Sequence, residues 1–433
     1  MSLLAYDAAL DMLLAAARPV AEVEEVDTVA AAGRVLARAQ ASALSVPPLD
    51  NSSMDGYAVR LADVTAAGVR LPVAQRIPAG AVGVPLQPGT AARIFTGAPV
   101  PEGAGAVVMQ ELCEHAGEGA VQINHVPHAG ENIRRAGEDI RAGDAILPAG
   151  TRLAPQDIGL AASVGLATLP VFRRLRVAVF FTGDELSMPG EALKPGGIYN
   201  SNRYTLRGLL SALGCETIDL GIVPDSLAAT RDALREAAAT SDVVITSGGV
   251  SVGEEDHVRA AVQAEGALDL WKIAIKPGKP LAFGKVSRRS TATAQTTTIP
   301  PAPFPGKGVT GAREQSPLAD EVAFIGLPGN PVSTFVTFLV LVRPFLLACQ
   351  GAHATAPRGL TMRADFDWPK PDRRREFLRV RINAEGGLDL FPNQSSGVLT
   401  SCAWADGVVD NPPAQAVVRG ELVRFLPFSE LLY

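Results

Sequence analysis

The stretch DVVITSGGVSVGEED, residues 242–256, decides the fold of the central part of this 433-residue chain. DVVIT is a β-branched apolar run of strand length, and the glycine-rich segment after it ends in three carboxylates, the last of them Asp256. Further on, LWKIAIKPGKPLAFG, residues 270–284, predicts a second strand and a Pro-Gly turn. The lysines of this segment are Lys272, Lys276 and Lys279. We therefore expect a strand, a glycine-rich loop, a helix start and a second strand that carries cations.

Glycines, lysines and carboxylates in this order are typical of a site for a phosphate-like anion and a hard cation. The backbone at Gly248 and Gly249 can approach an oxyanion beside the Ser251 hydroxyl, lysines neutralise it, and carboxylates hold Mg²⁺ against phosphate oxygens. A tight βα turn with solvated charges is the alternative, because such loops are common connectors. Lysines spaced by three or four residues around a rigid turn favour the functional interpretation.

A regular alternation of strands and helices begins at Arg176. The runs VAVFF and ETIDLGIV predict strands, and helices are predicted over 203–213 and 226–239. This alternation predicts a central parallel α/β sheet covered on both faces, with its ligand site at the carboxyl ends of the strands. The residues expected to collect there are Asp184, Glu185, Asp225, the 248–256 loop and the three lysines.

The segment VAFIGLPGNPVSTF, residues 322–335, predicts a strand, a corner and a helix that begins at Pro331 with Asn330 as its cap. The free N–H groups of that helix would face an anion in the same cleft. The run Val332–Cys349 is too short to span a bilayer and predicts a buried helix. Residues 287–320 are poor in large apolar side chains, which predicts a disordered surface insertion between two strands.

Helical spacing over 6–17, 31–40 and 155–167 predicts an N-terminal helical unit that packs together and is interrupted by a β region. Short apolar runs separated by glycine and proline predict all-β structure from residue 71 to residue 148. Ahead of these runs, the turn-rich DNSSMDGY displays the carboxylate of Asp55 at a fixed turn.

After Gln350 the pattern predicts strands without helices, enough for a small barrel or sandwich. The strands lie in LTMRADFDW, REFLRVRI, LDLFPN and AVVRGELVRFLPF. The candidate anion contacts of this region are Arg374, Arg375, Ser395 and Ser396. An exposed basic strand edge is the alternative interpretation of the arginines.

Composition argues against several classes of protein. The net charge of −6 argues against general nucleic-acid binding. The four cysteines are scattered and follow no secretory leader, so we expect a reduced, cytoplasmic protein that does not enter a membrane. Of the five histidines only His125 and His128 are close in sequence, which argues against a zinc site built from side chains.

Seven strings together resemble one family, the molybdopterin molybdenumtransferases (MoeA-like proteins, related to the gephyrin E domain). They are DNSSMDGYAVR, RIFTGAPVP, GENIRRAGEDI, TGDEL, VITSGGVSVGEEDH, KIAIKPGKPLAFG and GLPGNPVS. The resemblance implies a multidomain fold, α/β plus β. Its expected domains are a helical N-terminal and linker domain (1–48 with 149–174), a β-rich insertion domain (49–148), a MogA-like α/β molybdopterin-binding domain (175–350) and a C-terminal small β-barrel (351–433).

The resemblance also implies an enzyme that inserts molybdate into adenylated molybdopterin, releases AMP and requires Mg²⁺. It implies a homodimer whose cleft lies between the α/β domain of one subunit and the β insertion of the other, with substrate handed over by molybdopterin adenylyltransferase. The catalytic positions carried over by motif are Asp55, Thr96, Asp139, Glu185, Asp225, Asp256, Lys272 and Lys276, with Glu185, Asp225 and Asp256 as magnesium ligands. The substrate-binding positions are Gly248, Gly249, Ser251, Lys279, Ser333, Arg374, Ser395 and Ser396.

Two other functions stay open at this point. A molybdopterin adenylyltransferase resembles the α/β domain alone, but it would lack the β insertion and the C-terminal domain. A structural scaffold of the gephyrin kind would not need the carboxylates and lysines, all of which are present here. Phe181 and His257 also depart from residues that are frequent in the family, at positions that could alter contacts with the pterin.

Overall fold

The computed structural model describes residues 3–249, 257–288 and 320–432. The predicted site residues Ser251 and Asp256 lie outside these ranges. The predicted disorder of the 287–320 insertion also concerns residues that are almost all outside them. The insertion does connect two neighbouring strands, because Ser287 and Glu321 are opposite each other in an antiparallel pair.

The N-terminal segment begins with one helix and continues mainly as strands and turns. Its elements are α1 (Tyr6–Ala16), β1 (Val23–Asp27) and β2 (Gln40–Ala41). The helix predicted over 6–17 is confirmed, but the one predicted over 31–40 is wrong. In that segment Gly33 and Leu36 donate backbone hydrogen bonds to Leu153 O and Thr151 O, at 2.8 and 2.9 Å. Pairing with a distant segment overrides the helix propensity of this alanine-rich stretch.

The insertion is built from strands, as predicted. They are β3 (Asn51–Ser52), β4 (Gly56–Val59), β5 (Val69–Ile77), β6 (Ala91–Ile94), β7 (Ala106–Met109), β8 (Cys113–His115), β9 (Ala120–Ile123), β10 (Ile133–Arg134) and β11 (Ala145–Leu147). Six of them form one sheet in the order β7-β4-β6-β5-β9-β8. Two small apolar clusters, one including Val59 and Val108 and the other Ala58 and Val107, pack on it.

The chain leaves the insertion through α2 (Pro155–Ser163) and β12 (Thr168–Phe172). β12 pairs antiparallel with β1, so the segments before and after the insertion form one unit. The predicted packing of the N-terminal helices on one another is wrong. α2 buries Ala161 beside Leu36, whereas α1 buries Ala9 and Leu13 in the core of the α/β region.

The α/β region follows the predicted alternation. Its elements are β13 (Arg176–Thr182), β14 (Leu186–Ser187), β15 (Ile198–Tyr199), α3 (Ser201–Ala212), β16 (Glu216–Val223), α4 (Leu227–Thr240), β17 (Val243–Ser247), α5 (His257–Glu265), β18 (Gly266–Lys272), β19 (Ile275–Lys276), β20 (Pro280–Ser287), β21 (Glu321–Leu327), α6 (Pro331–Thr337) and α7 (Arg343–Cys349). The main sheet has the order β16-β13-β17-β21-β20-β18. The first four strands are parallel, whereas β20 and β18 add an antiparallel edge to the sheet that was predicted to be parallel.

Apolar clusters lie on both faces of this sheet, as expected for a sheet covered by helices. One cluster includes Leu206 of α3 and Val332 of α6, and the other includes Leu234 of α4 and Val258 of α5. The four parallel strands therefore end at a common edge, where Thr182, Ser247 and Leu327 are the last residues of β13, β17 and β21.

A π-helical segment, Phe338–Val342, joins α6 and α7 into one helix over Pro331–Cys349. Within the described part of the chain, this helix alone has the length and apolar composition of a membrane span, and 89% of its most apolar window is buried inside the protein. The prediction of a buried core helix is confirmed, but the expectation that the run is too short to span a bilayer is wrong, because the helix begins at Pro331 and has 19 residues. Its burial in the sheet core accounts for its apolar composition.

The C-terminal region forms a small barrel. Its elements are β22 (Leu360–Arg363), β23 (Arg375–Ile382), β24 (Leu388–Leu390), α8 (Thr400–Trp404), β25 (Gly407–Asn411), β26 (Leu422–Pro427) and α9 (Phe428–Leu432). The sheet order is β19-β23-β25-β26-β22, β24 pairs with β23, and a bridge from Ala364 to Leu388 closes the ring. The expectation of strands without helices is wrong for α8 and α9.

Candidate functional site

A cavity of about 640 Å³ lies at the carboxyl ends of β13, β17 and β21. Its lining comes from the strand-end loops, from the Pro-Gly turn between β19 and β20, from the start of α6 and from the barrel. The lining residues are Thr182, Gly183, Glu185, Asp225, Gly248, Gly249, Lys276, Pro277, Gly278, Lys279, Pro280, Pro328, Gly329, Asn330, Ser333, Arg374, Gln394, Ser395 and Ser396. The structure thus brings together most of the predicted residues of the α/β and C-terminal regions.

A buried asparagine fixes the loops that form the cavity floor. Asn202 Nδ2 donates to Ser247 Oγ at 2.8 Å and to Gly329 O at 2.7 Å. Ser247 Oγ in turn donates to Pro328 O at 2.9 Å. Because these bonds tie the end of β17 to the loop after β21, the glycine loop and the start of α6 have a fixed separation.

The glycine loop requires its glycines. Gly248 and Gly249 have φ values of +102° and +63°, which side chains with a Cβ rarely adopt. A Cβ on Gly248 would also lie 2.8 Å from Thr182 O. The backbone at these two positions can therefore face the cavity closely, as the sequence predicts for an oxyanion site.

The anion side of the cavity contains Lys279 and the first turn of α6. The Lys279 side chain is exposed, and no described carboxylate lies within ion-pair distance of it. Ser333 is 3% exposed, and the Asn330 side chain makes no capping hydrogen bond. Ser396 O accepts a 3.0 Å hydrogen bond from Val332 N, which fixes the barrel loop against this helix. Lys279 is thus a cation available to a bound anion.

Lys276 is held differently from the prediction. It does not continue the strand of Lys272 but belongs to β19, which pairs in parallel with β23 of the barrel. Lys276 Nζ lies 3.0 Å from Glu376 Oε1 and 3.7 Å from Asp372 Oδ2. The Glu376 side chain is only 1% exposed, and its other oxygen accepts hydrogen bonds from Trp368 Nε1 at 2.8 Å and Asp372 N at 3.0 Å. The position of the ammonium group is therefore set by the barrel.

Arg374 is paired with Asp372 through two bonds, Nε to Oδ1 at 3.0 Å and Nη2 to Oδ2 at 2.8 Å. The Arg374 guanidinium holds the pKa of the Asp372 carboxyl well below its usual range, and Asp372 raises the pKa of Arg374. The arginine side chain is fixed in the cavity wall by this pair. Its charge is largely balanced before any ligand binds.

Two carboxylates, Glu185 and Asp225, also line the cavity. Beside them Thr182 Oγ1 is buried and has no hydrogen-bond partner among the described residues. Within the same described ranges, no three His, Cys, Asp or Glu side chains are grouped closely enough to hold a metal ion. The predicted third ligand, Asp256, lies outside those ranges. The described donor set is therefore two carboxylates, which suits a Mg²⁺ that keeps water and substrate phosphate as its other ligands.

Six predicted residues of the described ranges do not line the cavity: Asp55, Thr96, Asp139, Asp184, Lys272 and Arg375. Lys272 ends β18, and its carbonyl oxygen accepts a hydrogen bond from Leu4 N at 2.8 Å. Asp55 and Thr96 lie in the insertion, where Asp55 Oδ1 accepts hydrogen bonds from Thr96 N and Thr96 Oγ1, both 2.8 Å. These bonds lower the pKa of the Asp55 carboxyl. Asp139, also in the insertion, is exposed.

The residues that position the cations and the barrel loop were not predicted from the sequence. Glu376 could have been found, because it is the one carboxylate in the otherwise apolar and basic strand REFLRVRI and needs a buried partner. Gln394 has a less visible role. Its side chain bonds to both Arg379 N and Arg379 O at 3.0 Å, which holds the loop of Ser395 and Ser396 on the barrel. Phe181, by contrast, is fully buried in the sheet core and does not face the cavity.

Comparison with known proteins gives a consistent result along the chain. Three family models match in order: the MoeA N-terminal region (domain I and II) over residues 4–165, a probable molybdopterin binding domain over 178–348, and the MoeA C-terminal region (domain IV) over 361–428. The molybdopterin molybdenumtransferase of Haemophilus influenzae is 37% identical over 412 residues, which cover 93% of each chain. That of a Nostoc species is 36% identical over 420 residues, covering 94% of this chain and 89% of the relative.

A solved structure supports the same relationship for the fold. The molybdopterin biosynthesis MoeA protein of Pyrococcus horikoshii superimposes with a TM-score of 0.79 at 27% identity. The match covers 98% of this chain and 100% of that one. The arrangement of insertion, α/β region and barrel is thus shared over the whole length.

Proposed function

This chain belongs to the molybdopterin molybdenumtransferase family, and we propose that it inserts molybdate into adenylated molybdopterin with release of AMP. The observation that supports this most directly is the 640 Å³ cavity, which places cations, a glycine loop and two carboxylates around one space. A substrate that carries a pyrophosphate needs cations and backbone N–H groups, and a tetrahedral oxyanion needs the same groups at a second position.

Molybdate is a substrate here, a dianion shaped like sulfate. We assign it to the side of the cavity formed by Lys279, Ser333 and the barrel loop, with Lys276 and Arg374 fixed behind it. Lys279 can neutralise an incoming dianion without first losing another partner in the described part of the chain. Lys276 and Arg374 keep their positions because their carboxylate partners hold them, so they limit where the anion sits.

Magnesium is part of the proposal. Glu185 and Asp225 would hold it from the protein side, with Asp256 as the proposed third carboxylate. When bound, Mg²⁺ supplies positive charge to the phosphoanhydride oxygens. The orphan hydroxyl of Thr182 next to the glycine loop can donate to an anionic oxygen, which positions the pyrophosphate beside the two carboxylates. The chain needs no nucleophilic side chain for this reaction, because the dithiolene sulfurs of the substrate form the bonds to molybdenum.

We further propose a homodimer in which the insertion of one subunit completes the cavity of the other. No residue of 49–148 lines the cavity of its own chain, yet Asp55 and Thr96 form an ordered pair there. Asp139 is assigned to the same composite site. Hand-over of substrate from molybdopterin adenylyltransferase and a cytoplasmic location complete the proposal; the four free cysteines suit a reducing compartment.

The test uses purified full-length protein with adenylated molybdopterin, Mg²⁺ and molybdate. Release of AMP should depend on molybdate, and the product should activate a molybdenum-dependent apoenzyme. Asp225→Asn should abolish both signals, whereas the matched control Asp232→Asn, an exposed carboxylate of α4, should change neither. Adenylylation of molybdopterin from ATP without molybdate would instead identify an adenylyltransferase, and absence of both reactions would favour a scaffold.

A further inference from the structure

The insertion sheet carries two arginines side by side on one face. Arg93 of β6 is opposite Tyr57 of β4 on one side and Arg76 of β5 on the other. Residues that are directly opposite in neighbouring strands share a face, and alternate residues along a strand do so as well. Asp55 is two residues before Tyr57, and Phe95 is two residues after Arg93. Both therefore lie on the same face as the arginines, at the end of the sheet.

Aromatic rings hold both guanidinium groups in place. The Arg93 guanidinium carbon lies 4.7 Å from the Phe95 ring centroid and 5.2 Å from that of Tyr57. Arg93 also donates to Gly56 O at 3.1 Å and to Gln110 Oε1 at 2.6 Å. The Arg76 guanidinium carbon lies 4.5 Å from the Phe95 centroid. Stacking of this kind orients the planar donor fork of arginine and leaves its edge available.

Neither guanidinium is balanced by a carboxylate within ion-pair distance among the described residues. The contrast with Arg374 is informative, because that arginine is fully paired with Asp372. Two like charges held beside one aromatic ring repel each other, and a bound anion would offset that repulsion. This part of the insertion thus has unbalanced positive charge.

A cavity of about 510 Å³ opens beside the pair. Its polar lining includes Arg76, Arg93, Gln110, Glu114 and His115, with Tyr57 as the aromatic wall. The volume suits a ligand of nucleotide size. Since Glu114 supplies the one carboxylate of this lining and the arginines supply two positive charges, the site favours an anion that also has a planar ring.

We propose that Arg76 and Arg93 bind the nucleoside monophosphate part of the adenylated substrate that is held in the partner subunit's cavity. This inference rests on the proposed function and on the proposed dimer. Asp55 connects the two sites, because it lies on the arginine face and belongs to the pair that would enter the partner's cavity. Arginine forks suit a phosphate bidentately, and the Tyr57 ring in the cavity wall suits a purine.

The probes are AMP, adenosine and inorganic phosphate, titrated into the full-length protein by calorimetry. Arg76→Ala should weaken AMP binding by about tenfold or more, since it removes a charge-assisted hydrogen bond. Arg76→Lys should retain part of the affinity. The matched control is Arg70→Ala, an exposed arginine of the same strand that bonds to Gln122 and does not line the cavity. Molybdate binding should be unchanged in all three variants.

Unchanged AMP affinity in Arg76→Ala would overturn the inference, as would competition by inorganic phosphate equal to that by AMP. Failure of the inference and failure of the proposed function are distinguishable in the transfer assay. If wild-type protein shows no molybdate-dependent AMP release, the proposed function fails. If wild type releases AMP and Arg76→Ala has an unchanged KM for adenylated molybdopterin, only the present inference fails.

Discussion

Lys276 Nζ lies 3.0 Å from Glu376 Oε1, and the two residues are opposite each other in β19 and β23. The short strand β19 thus joins the sheet of the C-terminal barrel while the next strand, β20, belongs to the α/β sheet. The ion pair lies where the two regions meet at the cavity. Any movement of the barrel would move the lysine that we assign to the molybdate side.

Replacement of Lys276 should therefore have two separable effects. Lys276→Met should weaken molybdate binding more than binding of the pterin, because a point cation serves the free dianion best. It should also lower the free energy of unfolding by about 1–3 kcal/mol, since it leaves the nearly inaccessible Glu376 carboxylate without its cation. The double variant Lys276→Met, Glu376→Gln should recover most of the stability but none of the molybdate binding. Recovery of both by the double variant would show that the lysine has only a structural role.

Lys279 should behave in the opposite way. Because it is exposed and has no ion-pair partner among the described residues, Lys279→Ala should change the free energy of unfolding by less than about 0.5 kcal/mol. It should nevertheless weaken molybdate binding by about tenfold through loss of a charge-assisted contact. Lys285→Ala, which removes a surface lysine paired with Glu321 at 2.9 Å, is the control and should leave molybdate binding unchanged. Equal affinities of wild type and Lys279→Ala would remove Lys279 from the site.

The turn that carries Lys279 depends on Gly278, whose φ is +94°. A Cβ at this position would overlap Thr337 Oγ1, and an L residue is strained at that φ. Gly278→Ala should lower the unfolding free energy by about 1–2 kcal/mol and weaken molybdate binding, because the turn must shift. Gly208→Ala is the matched control, since a Cβ there meets no atom within 4 Å. Denaturant unfolding and calorimetry on the same samples would show whether stability and binding change together.

Local patterns were sufficient for most of the α/β region. The helix predicted from residue 226 begins at Leu227 with Ser226 as its N-cap, and the helix after β21 begins at Pro331 behind Asn330, as predicted. These features depend on residues within one turn of the element boundary, so they can be predicted from the local sequence. The collection of Glu185 and Asp225 at one edge follows in turn from the strand alternation.

Pairings between distant segments could not be predicted in the same way. Lys276 and Glu376 are 100 residues apart, and nothing near β19 indicates that it leaves one sheet for another. The segment 31–40 has the composition of a helix but pairs with residues 151–153. In both cases the free energy comes from tertiary contacts that local propensity does not contain. For the same reason, the sequence pattern predicts Lys272 and Lys276 on one strand. In the structure β18 ends at Lys272, and Lys276 lies in β19, which pairs with the barrel.

The ion pair of Asp372 and Arg374 should make the free energy of unfolding depend on pH in the acid range. The folded-state pKa of Asp372 lies well below its ordinary value because of Arg374, so the pair stabilises the fold at neutral pH and this contribution is lost as the pH falls below about 4. Asp372→Asn should therefore be less stable than wild type at pH 7, and the difference should shrink toward pH 3. Urea unfolding at several pH values measures this. A difference that stays constant with pH would mean that the pair contributes no proton-linked stability.

Complementation between subunits tests the composite site. If Asp55 acts in the partner's cavity, a heterodimer of an Asp55→Asn subunit and an Asp225→Asn subunit has one cavity with neither substitution and one with both. Statistical mixing of a symmetric dimer should then restore about a quarter of the wild-type rate, although each variant alone is inactive or nearly so. Asp55→Asn mixed with Thr96→Ala should restore nothing, because both residues belong to the same pair in the insertion. Restoration in neither mixture would place Asp55 in the cavity of its own chain or outside the reaction, and molybdate-dependent AMP release is the measurement that decides.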